Sequence, residues 1–64
     1  MVDFAPRLKR LLADAGWRFL RSGKGDHEIW VHSETGKKVS VDSEIRSRHT
    51  ANGILKSAGL RKQF

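Results

Sequence analysis

Three side chains in this sequence can exchange a proton near neutral pH: His27, His32 and His49. His27 is set apart by what surrounds it. It follows Gly23-Lys24-Gly25-Asp26, a glycine-rich stretch whose amides around Gly23 and Gly25 can approach a phosphate closely. Lys24 within that stretch, and Lys37 or Lys38 from across the sheet, supply positive charge. This set suffices for slow cleavage of an RNA phosphodiester, because the substrate's own 2′-OH is the nucleophile. The protein need only move protons and neutralise the charge that develops. Taken alone, these residues favour a plain surface histidine at the start of a strand over a catalytic one.

Other chemistries are poorly served. His27, His32 and His49 have no zinc spacing, and His32 reads as a surface residue at a strand end. Asp26, Glu28, Asp42 and Glu44 would gather on a magnesium ion only if folding brought two loops together, and scattered surface carboxylates are the simpler reading. Ser40 and Ser43 have no nearby base. No metal and no small-molecule cofactor is expected.

The length and charge set the frame for this chemistry. Sixty-four residues, 38% of them apolar, make one small domain over residues 1–64 with a single core. With no cysteine, a disulfide scaffold, a Cys-ligated zinc finger and a thiol nucleophile are excluded. Thirteen Lys+Arg against seven Asp+Glu give a net charge of +6. The basic residues are spread along the chain, as on a folded domain with a positive surface, and nucleic acid or an acidic protein is the favoured partner. No apolar run is long enough to span a membrane and no signal-peptide pattern opens the chain, so the cytoplasm is the expected compartment.

The elements that must position His27 can be read from periodicity. Phe4, Leu8, Leu11, Leu12 and Ala15 fall at helical spacing, with Asp3 as cap, Pro6 in the first turn and Gly16 as the stop. Ala51, Ile54, Leu55 and Ala58 give a second helix capped by Ser47 or Thr50 and stopped at Gly59. Between the helices, residues 17–22, 27–32 and 38–42 have strand length and composition. Gly23–Asp26 joins the first two strands, and a turn with Gly36 in the left-handed position joins the second and third. Residues 42–48 read as a polar loop, and 61–64 as a frayed tail, with local packing of Phe64 left open.

The expected fold is therefore α+β, in the order α-β-β-β-α, with a three-stranded antiparallel sheet and both helices on one face. Placing Ile29 and Val31 against the helices puts Glu28, Trp30 and His32 on the uncovered face, beside Lys38, Ser40 and Asp42. Trp30 there would anchor a protein partner; the alternative reading is that the tail or a different strand register buries it.

Three segments in this order resemble a known family. They are Ala15-Gly16-Trp17 after the first helix, Lys24-Gly25-Asp26-His27-Glu28-Ile29-Trp30 opening the second strand, and Ile54-Leu55-Lys56-Ser57-Ala58-Gly59-Leu60 closing the second helix. Over roughly residues 4–60 the chain is similar to the HicA (YcfA-like) toxins of bacterial toxin–antitoxin systems. That resemblance implies a fold like that of a double-stranded-RNA-binding domain and a metal-independent mRNA interferase activity. The implied partners are mRNA and a HicB-type antitoxin protein that neutralises the toxin. It also makes His27 the functional histidine, with Lys24, Gly25, Lys37 and Lys38 on the RNA. The chain departs from the family's pattern at Asp26, where a small neutral residue is usual, and at His49, where glycine is common. Asp42-Ser43-Glu44 also replaces a stretch of proline and histidine. A carboxylate beside His27 could hold the imidazole or repel the phosphate. Two further readings stay open: a non-catalytic RNA-binding module, for which the second helix is short, and an inactive family member kept as a protein-binding partner.

Overall fold

A computed structural model describes residues 3–64, so the first two residues of the expected domain lie outside the described residues. The elements are α1 (Ala5–Asp14), β1 (Trp17–Ser22), β2 (His27–His32), β3 (Lys38–Asp42) and α2 (Arg48–Ser57). The strands form one antiparallel sheet in the order β1-β2-β3. Both helices pack on the same face, so the expected α+β architecture is the one observed.

Local chemistry explains the boundaries. Asp3 sits one residue before the N-cap position Phe4, and its Oδ1 accepts from Ala5 N at 3.0 Å. The same oxygen accepts from Ile45 N at 3.0 Å, so one carboxylate ties the start of α1 to the loop before α2. These two backbone donors, Ile45 first, hold the Asp3 carboxyl below its ordinary value. α2 begins at Ser47, whose side chain accepts from Thr50 N. It ends in a Schellman turn: Gly59 is at φ +76°, its amide donates to Lys56 O, and Leu60 N donates to Leu55 O at 2.8 Å.

The core is built from Leu8 and Leu12 of α1, Ala51 and Leu55 of α2, and Trp17, Trp30, Val39 and Val41 of the sheet. Trp30 is only 9% exposed, which corrects its expected place on the uncovered face. Register is the reason. Trp30 stands opposite Val39 and Glu28 opposite Val41, so the face of β2 that meets the helices carries Glu28, Trp30 and His32. Ile29 and Val31 take the other face, opposite Ser40 and Lys38. Burying the indole removes the larger apolar area from water, and its N–H is not orphaned: Trp30 Nε1 donates to Glu28 Oε1 at 3.0 Å. Glu28 Oε2 takes Lys9 Nζ at 3.0 Å. The indole donor, then the lysine, draws the Glu28 carboxyl below its ordinary value.

Two expectations about irregular segments are also corrected. The loop after β3 is not wholly polar, because Ile45 is 2% exposed and belongs to the core. The C-terminal segment is tied down rather than frayed. Asn52 Oδ1 accepts from Gln63 N at 3.2 Å and Phe64 N at 3.1 Å, while its Nδ2 donates to Phe64 O. The Phe64 ring meets Phe4 edge-on at 5.1 Å, with the Arg7 guanidinium over it. No helix among the described residues is long and apolar enough to cross a membrane.

Candidate active site

Helices cover one face of the sheet, and the other is open. Register places Arg18 beside Val31 and Lys38, Arg21 beside Ile29 and Ser40, and His27 beside Asp42 on that open face. Arg21 reaches it through an irregularity. Pairing jumps from Phe19 to Arg21, leaving Leu20 in a bulge, and without that jump Leu20 would point where Arg21 does. The bulge thus exchanges a leucine for a cation on the face that carries His27, and leaves Leu20 41% exposed.

His27 opens β2 directly after the Gly23–Asp26 loop, and the loop is pinned at both ends. Gly23 N donates to His27 O at 2.7 Å, and Ser43 N to Asp26 O at 2.8 Å. Gly25, at φ +68°, has open space around it, so its turn is reachable from solvent. The imidazole is half exposed, and its Nδ1 lies 2.6 Å from Asp42 Oδ1. Asp42 closes β3 opposite His27, so the contact is a cross-strand pair. The carboxylate holding the ring is therefore Asp42, while Asp26 lies beside it in a shallow recess lined by Asp26, His27, Asp42, Ser43 and Glu44. No group of three or more metal-ligating side chains forms among the described residues.

The expected basic residues divide between the two ends of the sheet. Lys24 and Gly25 lie in the loop that runs into His27. Lys37 and Lys38 do not converge on it. Lys38 stands opposite Val31, at the far end of β3 from Asp42, about 13 Å along the strand. Arg21, which sequence reasoning missed, is nearer and on the same face. Asp42 was legible in principle, because the Gly36 turn fixes the β2–β3 register and hence the partner of His27. The bulge that re-aims Arg21 left no sequence signal.

The other two histidines are not part of this corner. His49 is exposed in the first turn of α2. His32 is structural rather than a plain surface residue. Its Nε2 lies 3.1 Å from Ala15 O, and its Nδ1 accepts from Glu34 N at 3.2 Å, so Nε2 is the nitrogen that donates. Its ring meets Trp17 edge-on at 5.3 Å.

Among known proteins, the model of a family described as HicA toxin of bacterial toxin-antitoxin matches residues 5–60, from the first residue of α1 to just past the turn that ends α2. No curated protein and no solved structure matches the chain.

Proposed function

The chain belongs to the HicA toxin family of bacterial toxin–antitoxin systems, and from that premise we propose that it is a metal-independent endoribonuclease whose proton carrier is His27. It works in the cytoplasm on mRNA and is silenced by a HicB-type antitoxin. The observation that carries the reading is the family match together with the place of His27: half exposed, at the corner of an open basic sheet face, beside a glycine turn.

In this reading the RNA approaches across the open face, where Arg18, Arg21 and Lys38 lie, rather than from the recess lined by Asp26, Asp42 and Glu44. Arg21 and the Lys24–Gly25 loop meet the scissile phosphate, and Lys38 meets a phosphate further along the strand. His27 Nε2 takes the proton of the 2′-OH as its oxygen bonds to phosphorus. The bond from phosphorus to the 5′-oxygen breaks, and that oxygen leaves with a proton from water. The imidazolium then returns its proton to solvent. The products are a 2′,3′-cyclic phosphate and a 5′-OH. The buried position of Trp30 removes the reason for making it the antitoxin's anchor.

The test is cleavage of a single-stranded mRNA by the purified chain in excess EDTA, with the ends of the products identified. Cleavage is expected to persist and to leave the cyclic phosphate, and His27→Ala is expected to abolish both it and growth arrest while melting like the parent chain. A 3′-OH product, loss of activity on chelation, or full activity in His27→Ala overturns the reading. RNA binding without cleavage would instead identify a non-catalytic RNA-binding module.

A further inference from the structure

The contact between His27 and Asp42 has a chemical direction. Nδ1 lies 2.6 Å from Asp42 Oδ1, and a carboxylate has acceptors only. Two unprotonated acceptors cannot sit so close, so in the neutral imidazole the proton sits on Nδ1, on the side of the carboxylate. Nε2 then carries the lone pair, and it has no hydrogen-bond partner among the described residues. A free histidine prefers the opposite arrangement, with the proton on Nε2 and no base facing outward. The neighbours offer no substitute for Asp42. Asp26 and Glu44 also line the recess, but among the described residues the carboxylate within ion-pair distance of the His27 ring is that of Asp42, and Glu44 pairs with Arg46. Backbone pairing of β2 with β3 sets His27 and Asp42 opposite each other, so the ring is held from a rigid element rather than from a loop.

We propose that Asp42 is a positioning residue: it fixes the tautomer and the orientation of His27, and so makes Nε2 the base that faces RNA. The proposal rests on His27 being the proton carrier. Asp42 touches no substrate. It acts through the ring, by holding Nδ1 protonated and Nε2 turned toward the 2′-OH whose proton it takes. Because both side chains are partly exposed to water, the effect is smaller than that of a buried aspartate behind a catalytic histidine, on the order of tenfold to a hundredfold in cleavage rate.

The experiment uses the full chain and Asp42→Ala, with His27→Ala as reference. Two quantities are measured: cleavage of a single-stranded RNA oligonucleotide, and the imidazole tautomer from long-range nitrogen–proton spectra in alkaline buffer, where a free imidazole is neutral. The parent is expected to show the proton on Nδ1. Asp42→Ala is expected to move it to Nε2 and to lose cleavage by tenfold or more. A tautomer that does not change, or one that changes with no loss of cleavage, overturns the proposal while leaving His27 in place. Full cleavage by His27→Ala shows instead that the catalytic reading has failed, and the tautomer measurement still reports whether Asp42 holds the ring. Should Asp42→Ala unfold at the assay temperature, the isosteric Asp42→Asn carries the same test. It keeps the shape but removes the charge, and its amide can donate to Nδ1, so a loss of tenfold or more is again expected and parent-like cleavage overturns the proposal.

Discussion

His27 and His32 stand at opposite ends of β2, and their surroundings give the two imidazoles opposite tasks. His27 has one nitrogen against a carboxylate and a ring half exposed to solvent, which suits a group that must exchange a proton. His32 has both nitrogens committed, one to the carbonyl that ends α1 and the other to an amide of the β2–β3 turn. It joins a helix end to a hairpin. A Cβ on Gly16 would come within 3.1 Å of its Nε2, so the backbone there leaves room for this ring and little more. His32→Ala is therefore expected to destabilise the fold by about 1–2 kcal/mol, since the Ala15 carbonyl and the Glu34 amide both lose a partner. Its cleavage rate below the melting transition should stay within about tenfold of the parent. Chemical denaturation measures the first quantity and a cleavage assay the second. A variant with parent-like stability and no cleavage would place His32 in the active site.

The elements are held to one another by a few side chains of the sheet. Trp30 is the central one: it lies under the helices with Val39, meets Phe19 edge-on, and is fixed by the hydrogen bond from its ring to Glu28. Removing it leaves a cavity between β2 and both helices and strands an acceptor on Glu28. Trp30→Ala is expected to cost about 3–5 kcal/mol. A domain of this length has a total stability of roughly 3–10 kcal/mol, so the variant should be largely unfolded at the temperature at which the parent is folded. Circular dichroism and a thermal melt check this. A folded Trp30→Ala chain that had lost only partner binding would return Trp30 to the surface.

At the scale of the whole molecule, acid should undo the contacts that bring α1 to the rest. Asp3 ties α1 to the Ile45 loop and Glu28 ties it to the sheet through Lys9. Both carboxyls lie below their ordinary values of 3.8 and 4.5 in the folded chain. The folded state therefore favours their charged forms. Their stabilising contribution is complete above those ordinary values and is lost as the pH falls through the lowered ones. Melting temperature should fall with acid below the ordinary carboxylate range, and Asp3→Asn and Glu28→Gln should each be less stable near neutrality but flatter in that acid limb. Melting curves at several pH values decide it. An unchanged acid limb in both variants would mean that other groups govern acid unfolding.

Local rules determined a large part of this molecule. The five elements, the glycine stops at Gly16 and Gly59, the Ser47 cap, the Gly36 turn and the neighbourhood of His27 with the Lys24–Gly25 loop all depend on residues close in sequence. The sequence could state them because caps, turns and periodicity act over a few residues. Tertiary structure decided which way β2 faces. Ile29, Trp30 and Val31 are consecutive apolar residues, so alternation gives no parity, and the assignment falls to whichever register buries the most apolar surface with every polar atom partnered. It also decided that Ile45 joins the core and that Phe64 packs against it, from segments with no periodicity, and that Asn52 supplies the hydrogen bonds for the C-terminal backbone. The bulge that brings Arg21 to the open face, and the distance that keeps Lys37 and Lys38 from His27, belong to the same class. Each depends on pairing between segments far apart in the chain, where the free energy is that of the whole packed arrangement rather than of any local stretch.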